Sequence, residues 1–512
     1  MKIKEFLESD KPGKLKFFGS ETADLFSKEI AASFEAVLRK NYITEDEQFM
    51  PGFITASVDG RPWYNTMWTR DVGTFIRELV LWGHLNHACL ASDCLIKLVE
   101  QNEEGYFTFP EYFKYATPAS GDELDGTASI IIGMTLLWQR LADDNPYKEK
   151  IYHFLNQPRS PLHYIHRKLK SQPLLAGSGE FGGGCGIEGK YYNVVQNNLI
   201  RLALLAAAKM ETKAGNSETA EFYERDAEKI RQNMEKYLLN DDGAWLWCIR
   251  PDTLKPDDEV INHPINKGFG GLNGVASMYA DVSGLELLAS DWSGASACKK
   301  TFDKLLSFPL RSEQFDKYGI WTQFDEFREG LFTGPSYGHG YALQTMLLYD
   351  EMELAQKALT YLANATYKPP PEYHELDRQS RYYFYERYYS PDCVGKMTLE
   401  QGCGALNLVN VAEPLKIARL ISGVDDFSSE KVKIIPRIPP SWRGYEAVGW
   451  PIRSENGLAR ANIKFEKKEG NIHFKLDMKF GAEIRSLAMR IPTKKGVVWY
   501  KRRNISQVEL II

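Results

Sequence analysis

The chain has 512 residues, 43% hydrophobic and 26% charged, with a formal net charge of −5. That length supports a large core and two to three domains, and the composition is that of a globular protein. The acidic balance, with no basic block interleaved with aromatics, argues against a nucleic-acid partner. No run of about 18 apolar residues marks a membrane span, and the first ten residues lack the apolar stretch of a signal peptide. Seven cysteines without a CxxC pair fit a reduced, cytoplasmic protein with no disulfide framework.

From about residue 20 to 422 the apolar residues recur at helical spacing, over 22–40, 71–84, 86–101, 125–142, 193–211, 216–239, 271–281, 295–307, 338–349, 352–366 and 400–421. Eleven such segments come close to the twelve helices of six antiparallel hairpins. Between alternate helices run long loops rich in Gly, Pro and aromatics: 43–67, 103–124, 171–192, 241–270, 308–337 and 367–398. Loops this long in a compact domain are usually functional. Their alternation with short turns predicts a mainly α fold, an (α/α)6 toroid with every long loop on one face. Beyond residue 430 the period changes to two, as in Ala459-Arg-Ala-Asn-Ile-Lys-Phe and Ile472-His-Phe-Lys-Leu-Asp-Met. The expected division is residues 1–425 as the helical domain and 430–512 as a small C-terminal antiparallel β-domain, sandwich-like.

The first chemical signal is Trp63-Tyr-Asn-Thr-Met-Trp-Thr-Arg-Asp, where a helical pattern begins. An indole face beside a guanidinium fork and a carboxylate suits a sugar ring: Trp68 stacks, while Arg70 and Asp71 take hydroxyls in paired hydrogen bonds. The bland alternative is a helix start with a local salt bridge. Asp125-Gly-Thr reads first as a helix N-cap. The glycine-rich stretch 177–189 contains Glu180 and Glu188, the only carboxylates of loop 171–192. It is no nucleotide loop, because no strand precedes it and no Gly-Lys-Ser/Thr follows. Trp321 and, in Gly334-Pro-Ser-Tyr-Gly-His-Gly, Tyr337 and His339 are further pocket candidates, His339 equally a helix-start histidine with a structural hydrogen bond. In Tyr385-Glu-Arg-Tyr-Tyr, Arg387 suits Glu386 for a base that must stay ionised. His84-x-x-His87 and His163-x-x-His166 lack a carboxylate at ligand spacing, so no metal is expected.

In this order the motifs resemble the six-hairpin (α/α)6-barrel glycoside hydrolases, above all the glucoamylase type. Trp68-Thr-Arg-Asp matches that family's sugar-holding Trp-Thr-Arg-Asp, and Asp125-Gly-Thr-Ala is similar to its Asp-Gly-Pro-Ala. Glu188 falls at the family's general-acid position relative to the following helix. Glu386-Arg-Tyr-Tyr is similar to its general-base segment. The rhamnosidase-like relatives carry a Trp-Glu-Arg-Trp that looks like Tyr385-Glu-Arg-Tyr, and they and the disaccharide phosphorylases share an element like Pro436-Arg-Ile-Pro-Pro-Ser-Trp. The flanks of Glu188 are Ile187 and Gly189 rather than the family's Trp and Glu, which leaves Glu180 as the other candidate acid. The resemblance implies an inverting exo-glycosidase acting on α-linked oligosaccharides or glycosides without a cofactor. Glu188 would be the acid and Glu386 the base, with Trp68, Arg70, Asp71 and Asp125 around the terminal sugar. Two alternatives stay open: a phosphorylase on the same barrel, and a non-catalytic carbohydrate-binding protein.

Overall fold

The computed structural model describes residues 2–57, 65–115, 117–118, 124–178, 189–262, 294–307, 309–319, 333–367, 387–389, 407–426, 431–454, 457–493 and 496–512. In chain order these form α1 (Ile3–Glu8), β1 (Lys14–Phe18), α2 (Glu21–Lys40), β2 (Thr66–Trp68), α3 (Thr69–Trp82) and α4 (Leu85–Leu98). Then come β3 (Tyr112–Lys114), β4 (Thr117–Pro118), α5 (Leu124–Arg140), α6 (Pro146–Asn156), α7 (Pro161–Ser171), β5 (Ala176–Gly177) and β6 (Tyr191–Asn193). They are followed by α8 (Val194–Ala214), α9 (Ser217–Tyr237), β7 (Cys248–Ile249) and α10 (Asp258–Asn262). Next are α11 (Gly294–Leu306), α12 (Pro309–Tyr318), β8 (Thr333–Pro335), α13 (Ser336–Leu348), α14 (Met352–Tyr367), β9 (Arg387–Tyr389) and α15 (Leu408–Ser422).

Two layers of helices result. Inside, α15 packs on α3, α3 on α5 and α5 on α8, with α13 against the other side of α15. Outside, α4 backs α3, α9 backs α8 and α2 lies against α14. The segment 271–281, expected to be helical, lies outside the described residues. The inner helix α5 is buried nearly all round, every residue from Leu124 to Trp138, as a helix covered on both sides must be. The outer α9 has a single buried stripe of Ala220, Tyr223, Ala227, Ile230 and Met234.

The sequence pattern left 143–170 unassigned, and α6 and α7 fill it. Each opens on a cap followed by proline, Asn145-Pro146 and Ser160-Pro161, with the cap side chain accepting a first-turn N–H. Part of the expected loop 308–337 is likewise helical, as α12.

After α15 the chain forms β10 (Val424–Asp425), β11 (Val432–Ile434), β12 (Gly444–Ser454), β13 (Gly457–Lys468), β14 (Asn471–Met478), β15 (Ile484–Thr493), β16 (Gly496–Ile505) and β17 (Gln507–Ile511). One sheet has the order β1-β12-β13-β14-β17 and the other β10-β11-β15-β16. Pairing in these two sheets is antiparallel except between β11 and β15. Strand β1 comes from the far end of the chain, Leu15 opposite Ala447 and Phe17 opposite Tyr445. Buried Phe17 packs on Trp442 at 5.1 Å, and Trp442 also meets Phe26 of α2. At the C-terminal end of α3, Trp82 meets Trp450 edge-on at 4.9 Å. The sheets therefore pack beside the C-terminal end of α3, away from its N-terminus.

Candidate functional site

At the opposite end, short strands lead straight into inner helices: β2 into α3, β6 into α8 and β8 into α13. Strand β2 pairs with β3, Trp68 opposite Tyr112. The hydroxyl of Thr69 donates to Pro110 O at 2.6 Å, and its N–H donates to Glu111 O at 3.1 Å. These bonds fix the chain where it turns into α3 and set Trp68 against Tyr112, ring centroids 5.1 Å apart.

Helices α3 and α5 cross closely because glycine sits at the contact. A Cβ on Gly73 would fall 2.6 Å from Ile130 N and from Ser129 C, against backbone that cannot yield. Gly126 faces Thr69 in the same way. The close approach brings two helix N-termini side by side, Arg70 and Asp71 on one and Asp125 on the other. Arg70 Nη1 stands 3.4 Å from Asp125 Oδ2, and Arg70 Nε stands 3.7 Å from Asp71 Oδ1. Both carboxylates sit in the first turn of a helix, where the macrodipole favours negative charge. Asp125 is fully buried and Asp71 nearly so, while the Arg70 side chain keeps 16% exposure. The structure thus gathers Trp68, Arg70, Asp71 and Asp125 at one mouth.

His339 is placed differently. It lies in the first turn of α13, yet its ring turns outward against Tyr361 and its Nε2 bonds to Ala358 O of α14 at 3.0 Å. Burial pushes this imidazole down to about 4, against the pull of the carbonyl, so it is neutral. Tyr337 lies in the same first turn. Glu188, Glu386, Trp321 and Glu180 lie outside the described residues.

The described chain reaches the mouth on both sides of the Glu180–Glu188 stretch and directly after Glu386. Asn193 caps α8, its carboxamide oxygen accepting the Val195 N–H at 2.8 Å. Asn197 ties Leu175 to α8 through both its backbone groups, and Gln196 donates to Ser178 O at 3.2 Å. The loop holding Glu180 and Glu188 therefore leaves from and returns to the first turn of α8. Arg387, the residue after Glu386, pairs with Pro335, the last residue before α13.

Sequence reasoning missed what lies beneath. Arg70, Thr74 and Arg77 of α3, Ser129 of α5, Tyr341 of α13 and Lys416 of α15 line a cleft of about 20 Å³, room on the order of one ordered water. Each of its cations is matched by a carboxylate beside it: Arg70 by Asp125, Arg77 by Glu78 and Lys416 by Glu413. The i, i+4, i+7 spacing of Arg70, Thr74 and Arg77 on a buried helix was the available signal.

Comparison with solved structures fits this architecture. The chain superposes on an α-L-rhamnosidase from Dictyoglumus thermophilum with a TM-score of 0.59 at 12% identity, covering 98% of this chain and 49% of that one. The fold is the six-hairpin (α/α)6 toroid. A bacterial glucoamylase solved with acarbose matches this toroid with a TM-score of 0.52 at 14% identity, over 82% of this chain and 57% of its own. A putative kojibiose phosphorylase from the human microbiome matches at 0.50 and 11%, over 98% and 67%. The chain spans about half the length of the rhamnosidases it matches. No protein-family model matches it, and no curated protein sequence does. Among the described residues, no helix is long and apolar enough to cross a membrane.

Proposed function

We propose that the chain is an inverting exo-glycosidase that releases the non-reducing-end sugar from small α-linked oligosaccharides or glycosides, in the cytoplasm and without a cofactor. The observation that carries this reading is the Arg70–Asp125 pair with Asp71 and Trp68 at the toroid mouth. It is a donor fork and two carboxylates beside an indole, at the end where both glutamate loops are anchored. In this reading Glu188 protonates the glycosidic oxygen, and Glu386 takes a proton from the water that attacks the anomeric carbon from the other face. Arg70, Asp71 and Asp125 hold hydroxyls of the terminal ring, and its apolar face lies on Trp68. Residues 1–425 are the catalytic unit of this proposal and 430–512 an accessory β-unit. The solved glycoside hydrolases of the same fold support it.

A screen of aryl α-glycosides with wild type, Glu188→Gln and Glu386→Gln tests the proposal. Each substitution is expected to lower kcat about 10²–10⁴-fold, the usual worth of a positioned acid or base. Full activity in the Glu188→Gln variant together with loss in Glu180→Gln would transfer the acid role. Absence of cleavage across the screen would favour a non-catalytic sugar-binding protein.

One observation favours a second reading, transfer to phosphate. Arg70, Arg77 and Lys416 line the cleft beneath the mouth, and a putative kojibiose phosphorylase shares the fold. Cleavage that depends on inorganic phosphate and yields a sugar 1-phosphate would decide for it.

A further inference from the structure

The His84-x-x-His87 pair has a carboxylate partner after all, and it comes from the N-terminal arm. Asp10 lies 74 positions before His84 in sequence, beyond any spacing rule. Helix α4 begins just after His84, which places His84 and His87 one turn apart on the side that faces the arm. Asp10 Oδ2 stands 2.7 Å from His87 Nδ1. Its two oxygens also accept the Asn86 N–H at 2.8 Å and the His87 N–H at 3.2 Å. A nitrogen of each histidine and an oxygen of Asp10 all lie within 4.8 Å of one another. His84 Nδ1 is buried and makes no hydrogen bond among the described residues. A buried ring nitrogen in that state costs desolvation without return.

We propose that Asp10, His84 and His87 form a site for an imidazole-preferring divalent metal ion, zinc in the first instance, which clamps the N-terminal arm onto the toroid.

The chemistry selects the class of ion. Two imidazoles and one carboxylate are a borderline-soft set that suits zinc and its neighbours, whereas calcium and magnesium take mostly oxygen. Arg460, whose guanidinium approaches Gly83 and donates to Gly449 O at 3.2 Å, adds positive charge near the site. That repulsion weighs more against an ion held by charge alone than against one held through nitrogen donors. Zinc bonds of roughly 2.0–2.1 Å put ligand atoms about 3.3 Å apart in a tetrahedral site, so modest rotations of the two rings suffice. On binding, His87 Nδ1 exchanges its hydrogen bond to Asp10 for the ion, and the neutral ring carries its proton on Nε2. A fourth position is left for water. The side chains of Asp10 and His87 are 6% and 13% exposed, which shelters the ion and leaves a path to it.

The consequence is mechanical. Asn86 already donates to Phe6 O at 2.7 Å and to Ser9 Oγ at 2.8 Å, so the arm rests on this turn before any ion arrives. The ion would fasten the same segment that continues into β1, the edge strand of the five-stranded sheet.

The test uses the full chain, stripped with chelator and then titrated with zinc chloride by calorimetry, with melting temperature as a second readout. One equivalent of zinc per chain is expected, with a rise in melting temperature. Asp10→Asn and His84→Ala are expected to weaken binding at least tenfold, and His163→Ala, at the other histidine pair, to leave it unchanged. His84 packs on Phe34 at 4.7 Å, and its loss can loosen the turn. Asp10→Asn, which removes charge and little volume, therefore reads the site independently. Cobalt bound to the wild-type chain should show the visible bands of a nitrogen-ligated tetrahedral ion, and Asp10→Asn should lose them. Failure to bind one equivalent, or equal binding by wild type, Asp10→Asn and His84→Ala, overturns the proposal. Neither outcome bears on glycoside cleavage at the mouth.

Discussion

Helix α3 carries two ionic groups of opposite character, one buried between helices and one at the mouth, to which the proposed function assigns the sugar. Near its C-terminal half, Glu78 receives Arg419 of α15 in a fork, Nη2 to Oε1 at 2.6 Å and Nε to Oε2 at 2.8 Å, with both residues almost wholly buried. At its N-terminus, Arg70 reaches Asp125 only to 3.4 Å and Asp71 to 3.7 Å. Charge-assisted bonds of this kind normally close to about 2.7–2.9 Å. The lower pair locks two inner helices together. The upper group sits at the mouth with the Arg70 side chain 16% exposed, and the proposed function assigns it to a sugar.

The comparison breaks first at the lower pair. Arg419→Met should cost about 3–5 kcal/mol of stability, because Glu78 would be left charged in a buried place. Urea denaturation followed by circular dichroism measures this. The folded fraction should retain its turnover if the pair serves only the fold. A loss under about 1 kcal/mol would mean that Glu78 finds another cation, Arg77 Nε at 3.5 Å being the nearest candidate.

That lower pair also marks where the sequence stopped being legible. The helical period and the long alternating loops showed the toroid, because apolar spacing is a local property. Trp68, Arg70 and Asp71 were legible as a unit, being contiguous. Arg419 with Glu78, Asp10 with His87 and β1 with β12 were not, since each joins parts of the chain hundreds or scores of residues apart. No periodicity encodes such partners. Trp321, Glu188 and Glu386 rest on sequence alone, outside the described residues. The direction of His339 was equally beyond spacing, since a histidine in a helix's first turn faces the axis or the outer ring according to its rotation by one position.

His339 sharpens the comparison, for it lies at the mouth end yet belongs with the fold. Its folded pKa, pushed down to about 4, lies below the ordinary 6.5. A depressed value means the unfolded chain takes up the proton first. The stabilisation is therefore complete above pH 6.5 and is lost as pH falls toward 4. Stability should fall by about 2–3 kcal/mol between pH 7.5 and 4.5 from this group, at 1.36 kcal/mol per pH unit. His339→Gln should flatten that slope while keeping an N–H for Ala358 O. An unchanged slope in the variant would assign the effect to other groups.

The upper group is tested by Arg70→Lys. Lysine keeps the charge but has no planar fork, so one charge-assisted hydrogen bond to the sugar should be lost. At about 1.5 kcal/mol, kcat/KM should fall roughly tenfold, with little movement in melting temperature. A large fall in melting temperature with kcat/KM preserved would place Arg70 with Arg419 as a residue of the fold.

The smallest effect concerns geometry without burial. Arg490 of β15 meets Asp350 in a fork as short as that of Arg419, with both contacts at 2.6 Å, and it ties the β-sheets to the turn between α13 and α14. Asp350, however, is 47% exposed. In water each partner of an exposed pair recovers most of its solvation when the other is removed, so such pairs contribute about 0–1 kcal/mol. Arg490→Ala should therefore shift the urea midpoint barely, and salt should erase even that shift. If it cost as much as Arg419→Met, short fork geometry alone, and not burial, would be the stabilising element. A negligible effect instead assigns the strength of the lower pair to its burial. Arg70 at the mouth, 16% exposed, is then expected to matter less to the fold than Arg419, which is consistent with the role that the proposed function gives it.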